Sequence, residues 1–337
     1  MKKQILILAL LLPLLAGCAA KQPDPLPCTP GEAQRLVVYT SHKEEVYTPI
    51  IREFEERTGI WVDVVSGGTN ELLQRIQQEA DAPKADVMFG GGVESLESYQ
   101  DCFSPYICRE AAGISEQFQA ESGYWTPFSA LPVVLVYNTK LVAPESLTSW
   151  KDLESPAFRG KIAFADPQIS GSSYTALVTR LQTGGGMEDS LTQLCTALDG
   201  KQLDSSGAVL TAVADGSALV GITLEETALQ HIAAGEDIAL VYPSDGTSCV
   251  PDGSALVKGA PHGDNARLFL DFTVSTDVQS MVGQRFCRRT VRADIPADPS
   301  LPPLSTLNMV SYDVEWASQN RDRLLSEWSF LLGEVPL

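Results

Sequence analysis

Short apolar runs alternate with segments of helical spacing along the first part of the chain. Residues 36–39 form a continuous apolar run that is typical of a buried strand. The next segment, 44–58, has apolar residues three and four positions apart and stops at Gly59, the residue preferred after a helix. The apolar face of this predicted helix consists of Val46, Ile50, Ile51 and Phe54. The pattern therefore predicts a strand followed by an amphipathic helix.

The same alternation continues to residue 92. A second strand is predicted at 60–65, a helix follows with Leu72, Leu73 and Ile76 facing inward, and a third strand is predicted at 86–89. Such an order indicates a mainly parallel sheet covered by helices, whose ligands bind beyond the carboxyl ends of the strands. All three strands end in turns rich in Gly, Ser or Thr, a composition that suits a ligand-facing edge.

A second unit of the same kind begins near residue 131. Its strands are predicted at 133–137, 161–164, 218–222 and 238–242. Its helices are predicted at 174–182, 187–198, 206–215 and 225–234, and two more helices are predicted at 264–274 and 275–286. A chain of 337 residues is long enough for two cores. We expect an α/β protein with two lobes and a cleft between them.

The N-terminus has the features of an export signal. Lys2 and Lys3 precede an apolar run at 5–15, which is too short for a permanent transmembrane helix. The sequence up to Cys18 is Leu-Ala-Gly-Cys, which resembles the bacterial lipobox. We predict a signal peptide at 1–17, lipidation of Cys18 and an extracytoplasmic protein anchored to the cell membrane by this cysteine. An ordinary cleaved signal with an incidental cysteine is the alternative.

Charge and cysteine content narrow the choice of partners. The formal net charge is −19, which argues against nucleic acid and against broad contact with anionic lipid, although a small anion can still bind at local N–H groups. Six cysteines besides Cys18 permit disulfides, and Cys102 and Cys108, which flank a Pro-containing turn, are the pair that we predict. Because no CxxC occurs and the three histidines are scattered, we predict no bound metal.

Polar turns after the predicted strands supply the candidate ligand-binding residues. Helix N-termini of this composition bind anions, and the turn 170–173 (Ser-Gly-Ser-Ser) is suited to a phosphate, phosphonate or carboxylate. Ordinary helix capping is the alternative for these serines. Glu225 and Glu226 are also candidates, and for them the alternative is a solvated first helical turn. The full candidate set, including one arginine considered below, is Ser41, His42, Gly68, Thr69, Gly91, Gly92, Ser170, Gly171, Ser172, Ser173, Glu225, Glu226, Asp245 and Arg292.

Enzymatic motifs are missing from the sequence. It contains no Gly-x-Ser-x-Gly elbow, no His-Glu-x-x-His and no GxGxxG after a strand, and the turn 170–173 lacks the lysine of a Walker sequence. We therefore expect a protein that is not an enzyme and that needs no cofactor.

Seven segments, in the same order along the chain as in the family, resemble the ferric-ion-binding type of bacterial extracellular solute-binding protein. These segments are 37–44, 54–60, 85–87, 150–153, 159–162, 170–172 and 292–296, the last of which begins with Arg292. The resemblance implies two hinged lobes, which we assign to 34–130 with 258–305 and to 131–257 with 306–337, after a lipidated tether at 18–33. It also implies delivery of the solute to an ABC permease.

The resemblance also bears on the ligand. In the iron-binding members a histidine at the place of His42 is a metal ligand, a glutamate follows the third strand, and a Tyr-Tyr pair follows a strand of the second lobe. This sequence has glycine at 90–92 and Leu224-Glu225 instead, so the carboxylate and phenolate ligands that ferric iron prefers are missing. Its segments 90–92, 170–173, 221–226 and 243–247 resemble more closely the branch that binds hexose phosphates and aminoethylphosphonate. We expect a monomeric solute-binding lipoprotein of an ABC importer whose ligand is a phosphorylated sugar or a phosphonate. Ferric-iron transport and a ligand-sensing lipoprotein that docks to a membrane kinase are the alternatives.

Overall fold

The computed structural model describes residues 30–120, 122–184 and 186–333. The predicted signal peptide, Cys18 and Cys28 lie outside this part of the chain. The strands are β1 (Arg35–Thr40), β2 (Trp61–Ser66), β3 (Val87–Gly92), β4 (Phe103–Ser104), β5 (Thr126–Asn138), β6 (Ile162–Ala163), β7 (Val220–Leu224), β8 (Ile238–Val241), β9 (Cys249–Val257) and β10 (Arg289–Thr290). The helices are α1 (Glu44–Thr58), α2 (Thr69–Gln78), α3 (Val93–Ser98), α4 (Gly171–Gln182), α5 (Met187–Leu198), α6 (Ser206–Ala214), α7 (Glu225–Ala233), α8 (Gly263–Thr273), α9 (Thr276–Phe286), α10 (Val314–Gln319) and α11 (Arg321–Leu332).

Helix α1 shows how local sequence determines an element here. Its four predicted apolar residues are all buried, and Glu44 and Glu45 in the first turn interact favourably with the helix dipole. The helix ends at Gly59, which has a left-handed conformation (φ 69°) and donates its N–H to the carbonyl oxygen of Glu55 at 2.8 Å. Both bounds of α1 agree with the prediction.

The sheet is mixed, not mainly parallel as predicted. Strand β1 pairs in parallel with β2 and with β3, as the alternation of strands and helices requires. Beyond β3 the order continues through β9, β5, β7 and β6, and the pairs β3–β9, β9–β5 and β5–β7 are antiparallel. The antiparallel pairs arise because β5 and β9 run back between the two parts of the sheet.

Strand β5 joins the two lobes. Its first half, 126–132, pairs with β9, and Arg289 of β10 pairs with Ala130 on the same half. Its second half, 133–138, pairs with β7 and β8. Since all thirteen residues of β5 are buried, this strand lies in the interior of the molecule.

Separate groups of buried side chains form the cores of the lobes. In the first lobe the rings of Phe54 and Phe269 meet edge to face with centroids 5.1 Å apart, and in the second lobe Phe164 and Trp328 do so at 5.5 Å. The predicted residue bounds of the lobes stay a prediction. The predicted second lobe, 131–257, includes the residues of β9. In the structure Ala255, Leu256 and Val257 of this strand pack with side chains of the first lobe.

The predicted Cys102–Cys108 disulfide is not formed, because both residues are free cysteines. Cys102 packs beside the cluster that contains Phe103, whereas Cys108 is buried in another cluster with Ile114 and Phe118. In the part of the chain that the structure describes, no helix is both long and apolar enough to cross a membrane.

Candidate ligand-binding site

A cavity of about 380 Å³ opens between the two lobes. Ten of the predicted residues line it, namely Ser41, His42, Gly68, Thr69, Gly91, Gly92, Ser170, Gly171, Ser172 and Glu226. The cavity is also lined by residues that were not predicted, among them Lys43, Thr175, Asp204, Ser205, Ser206, Thr227, Asp252 and Arg288. The structure therefore brings most of the strand-end turns to one place.

In the described part of the chain, five helices of nine or more residues begin at this cavity. The residues that precede their first turns all line it, namely Lys43 of α1, Gly68 of α2, Ser170 of α4, Ser205 of α6 and Leu224 of α7. The N-terminal end of a helix has unpaired N–H groups and a partial positive charge. Five such ends around one cavity provide donors for an anionic group without requiring many cationic side chains.

The start of α4 is built by its serines. Ser170 accepts a hydrogen bond from the Ser173 N–H at 3.3 Å, and the hydroxyl groups of Ser170 and Ser172 lie 3.0 Å apart. Ser173 itself is buried and does not line the cavity, so its observed role is in the capped turn. Ser170, Gly171 and Ser172 are the residues of this turn that line the cavity.

The glycines at the end of β3 are required by close packing. Gly91 has φ +103°, and a Cβ atom there would lie 2.8 Å from Cγ2 of Thr69. A Cβ atom at Gly92 would lie 2.5 Å from Oε1 of Glu94, which is fully buried behind it. Gly91 thus lets the end of β3 approach the start of α2, and Gly92 leaves room for the buried carboxylate of Glu94.

A buried polar cluster, the Arg288 cluster, borders the cavity. It consists of Arg288, Asp252, Ser129, Glu226 and His42, all less than a tenth exposed. Arg288 Nη1 donates to Asp252 Oδ2 at 2.6 Å and to Ser129 Oγ at 3.0 Å, and its Nη2 lies 3.4 Å from Glu226 Oε1. Asp252 also accepts from the Ser129 N–H at 2.8 Å.

The charges in this cluster affect one another. Burial, and then the charge of Arg288, lowers the pKa of His42 well below its usual value, so its imidazole is neutral. The ring of His42 packs against Phe89 with centroids 4.4 Å apart. Burial raises the pKa of Asp252, while Arg288 and Ser129 act in the opposite direction.

Three atoms of the Arg288 cluster keep unused hydrogen-bonding capacity. Glu226 Oε2, Arg288 Nε and His42 Nε2 are buried and have no hydrogen-bond partner among the described residues. Because buried polar atoms are nearly always paired, these three atoms are exceptions within residues that line the cavity.

Three other predicted residues do not line the cavity. Glu225 accepts from Arg289 at 2.7 and 2.8 Å, Asp245 accepts from the backbone N–H groups of Trp150 and Lys151, and Arg292 binds Asp294, Glu110 and the Val274 carbonyl oxygen. The polar groups of these three residues form hydrogen bonds with other parts of the protein and not with groups at the cavity.

Sequence reasoning missed Arg288 and Asp252. Asp252 lies in a Pro-Asp-Gly segment whose composition indicates a turn, and Arg288 directly follows a helix end. The one available signal was the Arg-Arg pair at 288–289 in an acidic chain. For metal binding, a search of residues 30–120, 122–184 and 186–333 finds no group of three or more His, Cys, Asp or Glu side chains that could hold an ion.

Comparison with known proteins gives consistent matches. The profile of a family described as bacterial extracellular solute-binding protein matches residues 36–285. The structure of the periplasmic binding protein AfuA from Actinobacillus pleuropneumoniae, with exogenous fructose-6-phosphate bound, matches with a TM-score of 0.83 and 25% identity, over 89% of this chain and 99% of AfuA.

Two curated relatives have different solutes in their names. Iron uptake protein A1 of Synechocystis is 26% identical over 86% of this chain and 84% of its own length. A putative 2-aminoethylphosphonate-binding periplasmic protein of Salmonella typhi is 22% identical over 73% of this chain and 74% of its own length.

Proposed function

Because this chain belongs to the bacterial extracellular solute-binding protein family, we propose that it captures a phosphorylated sugar or a phosphonate and delivers it to an ABC permease. Its fold is that of the two-lobed periplasmic binding proteins. The family consists of solute-binding transport proteins and not of enzymes. The proposal includes a monomer held at the membrane by a lipidated Cys18, so that the loaded protein stays near its permease. Stable anchoring of this kind takes two or more acyl chains.

The convergence of five helix N-termini on one cavity carries the proposal. Gly68 and Thr69 of the first lobe and the turn 170–172 of the second lobe border the same space, and a Cβ atom at Gly171 would lie 3.2 Å from Thr69 Oγ1. A phosphoryl group placed between them would accept N–H and hydroxyl hydrogen bonds from both lobes. The ligand would thus hold the lobes together, and burial would strengthen each of these bonds.

The relatives support this class of ligand unequally. AfuA was solved with a phosphorylated sugar, and the Salmonella protein is named for a phosphonate, which fits an anion bound by helix N-termini. Iron uptake protein A1 favours ferric iron as a second candidate. The third strand of this chain ends in glycine, and Glu225 is occupied by Arg289, so these positions offer iron no free carboxylate or phenolate.

A thermal-shift series with fructose 6-phosphate, 2-aminoethylphosphonate, inorganic phosphate and ferric iron tests the proposal. At a hundredfold excess over Kd a ligand stabilises the protein by about 2.7 kcal/mol. Ser172→Asp places a negative charge in the anion site and should abolish stabilisation by the organic anions. Ser275→Asp is the matched control, because Ser275 caps α9 away from the cavity and Asp caps equally well.

Unchanged stabilisation of the Ser172→Asp variant would contradict the anion site. A visible charge-transfer band on addition of iron, with no response to either organic anion, would favour the iron carrier instead. If the protein is anchored as proposed, replacing Cys18 by Ser should release it from the membrane fraction.

A further inference from the structure

We propose that Arg288 and Glu226 are a specificity-determining pair, which selects a ligand with hydroxyl groups beside its phosphoryl group over an aminoalkyl phosphonate. The inference rests on the proposed function and deepens it, since it names a phosphorylated sugar or polyol as the ligand class. It is carried by the unused hydrogen-bonding atoms of the Arg288 cluster.

The guanidinium of Arg288 is only partly used by the protein. Nη1 is committed to Asp252 and Ser129, and Nη2 makes a long contact of 3.4 Å with Glu226, but Nε has no partner among the described residues. Arg288 is 6% exposed and still lines the cavity. One buried donor of a cavity-lining residue is therefore left without a partner in the described chain.

Glu226 complements this donor with an acceptor. Its Oε1 accepts from the Thr227 hydroxyl at 2.9 Å and faces Arg288, whereas Oε2 is buried and unpaired within the described part of the chain. His42 adds a neutral imidazole whose Nε2 is also unpaired there. Three residues that line the cavity thus each keep one buried polar atom without a partner in the described chain: an acceptor on Glu226, a donor on Arg288 and a ring nitrogen on His42.

A hydroxyl group satisfies this arrangement better than an ammonium group. A hydroxyl both donates and accepts, so the hydroxyls of a sugar can donate to Glu226 Oε2 and accept from Arg288 Nε. An ammonium only donates, so it would leave Arg288 Nε unpaired and would bring a positive charge close to a buried guanidinium.

The remaining charges at the cavity do not reverse this preference. Asp252 is occupied by Arg288 and by two donors of Ser129. Asp204 is exposed at the rim, where water screens its charge, and Lys43 at the start of α1 adds a second positive charge. Among the described residues that line the cavity, a cationic ligand therefore meets no free buried carboxylate except Glu226, which already faces Arg288.

Calorimetric titration of the folded protein tests the inference. Wild type should bind fructose 6-phosphate about 100-fold more tightly than 2-aminoethylphosphonate, because a site built to pair hydroxyl groups discriminates strongly against ligands that lack them. Arg288→Lys keeps the charge but loses the fork of donors, and we expect it to weaken fructose 6-phosphate binding about tenfold and to reduce the ratio between the ligands. Glu226→Gln should do the same through the lost carboxylate.

Arg289→Lys is the matched control. Arg289 is the next residue, also pairs with a buried glutamate and does not line the cavity, so the ligand ratio should stay as in wild type. If Arg288→Lys fails to fold, Glu226→Gln decides the question alone.

The outcomes separate the two proposals. Equal or tighter binding of 2-aminoethylphosphonate, or an unchanged ratio in both cavity variants, overturns the inference and leaves the proposed function intact. Binding of neither organic anion by wild type overturns the proposed function itself.

Discussion

Two glutamate–arginine pairs lie one residue apart in this protein, and they are used differently. In the pair Glu225–Arg289 both carboxylate oxygens accept from the guanidinium, at 2.7 and 2.8 Å, and the Tyr242 hydroxyl also donates to Glu225. In the pair Glu226–Arg288 the contact is 3.4 Å long, and each partner keeps one buried atom without a partner among the described residues. Only the second pair lines the cavity.

The difference teaches how to separate a structural ion pair from a ligand-binding one. A buried pair whose hydrogen-bonding capacity is fully used has nothing to offer a ligand, whereas unused capacity next to a cavity is costly unless something fills it. Residue type is the same in both pairs, and the arginine side chains differ little in exposure (6% for Arg288 and 10% for Arg289), so neither property alone could have distinguished them.

The largest effect on stability should come from breaking the pair Glu225–Arg289. Arg289→Gln leaves the Glu225 carboxylate buried without its cation, and we expect a loss of about 3 kcal/mol in the free energy of unfolding. Urea denaturation measures the loss. The double variant with Glu225→Gln should recover part of it, and a loss below about 1 kcal/mol would contradict a structural role for the pair.

An intermediate effect is expected at Glu94, a third buried glutamate. Its Oε2 is unpaired in the described chain, but it does not line the cavity, and Thr175 donates to its Oε1. Burial raises its pKa above the usual 4.5. The stabilisation that depends on its protonated form is therefore complete below pH 4.5 and is lost as the pH rises through the folded-state pKa.

Glu94→Gln removes this dependence because an amide does not titrate. Between the unfolded-state and folded-state pKa of Glu94, the stability difference between variant and wild type should grow by about 1.4 kcal/mol per pH unit. Unfolding curves from pH 4 to 8 test the slope. A difference that is constant over this range would show that Glu94 is not protonated in the folded protein.

The smallest effect on stability is expected at the ligand-facing pair. Glu226→Gln keeps the size of the side chain and leaves Arg288 bound to Asp252, so the free energy of unfolding should change by less than about 1 kcal/mol. A loss as large as that of Arg289→Gln would remove the distinction between the two pairs. The measurement is the same urea series without ligand.

Much of the fold follows from local pattern. The bounds of α1 and α5 were predicted to the residue, since apolar spacing and end signals agree there. Strand β9 was missed because Pro251, Asp252 and Gly253 indicate a turn, and proline is unusual in a central strand. In the structure Asp252 holds Arg288, and a Cβ atom at Gly253 would lie 3.1 Å from Leu96, so tertiary contacts outweigh local preference.

The residues of the candidate site were predictable where they lie at helix starts. They were not predictable where their place depends on contacts with residues far away in the sequence. Ser170, Gly68 and Ser41 follow strands and precede helices, and that local order brought them to the cavity. Asp245 and Arg292 also lie in polar segments, but Asp245 binds the distant backbone of Trp150, and Arg292 binds the distant Glu110 as well as the nearby Asp294. No local sequence signal shows whether a polar side chain is already hydrogen-bonded to a distant residue of the fold.

The short strand β10 gives the Arg-Arg dipeptide a further meaning. Arg288 directly precedes β10 and lines the cavity, whereas Arg289 lies in β10, pairs with Ala130 of β5 and binds Glu225 away from the cavity. Two neighbouring backbone positions thus give one arginine to the cavity and the other to the internal packing of the fold.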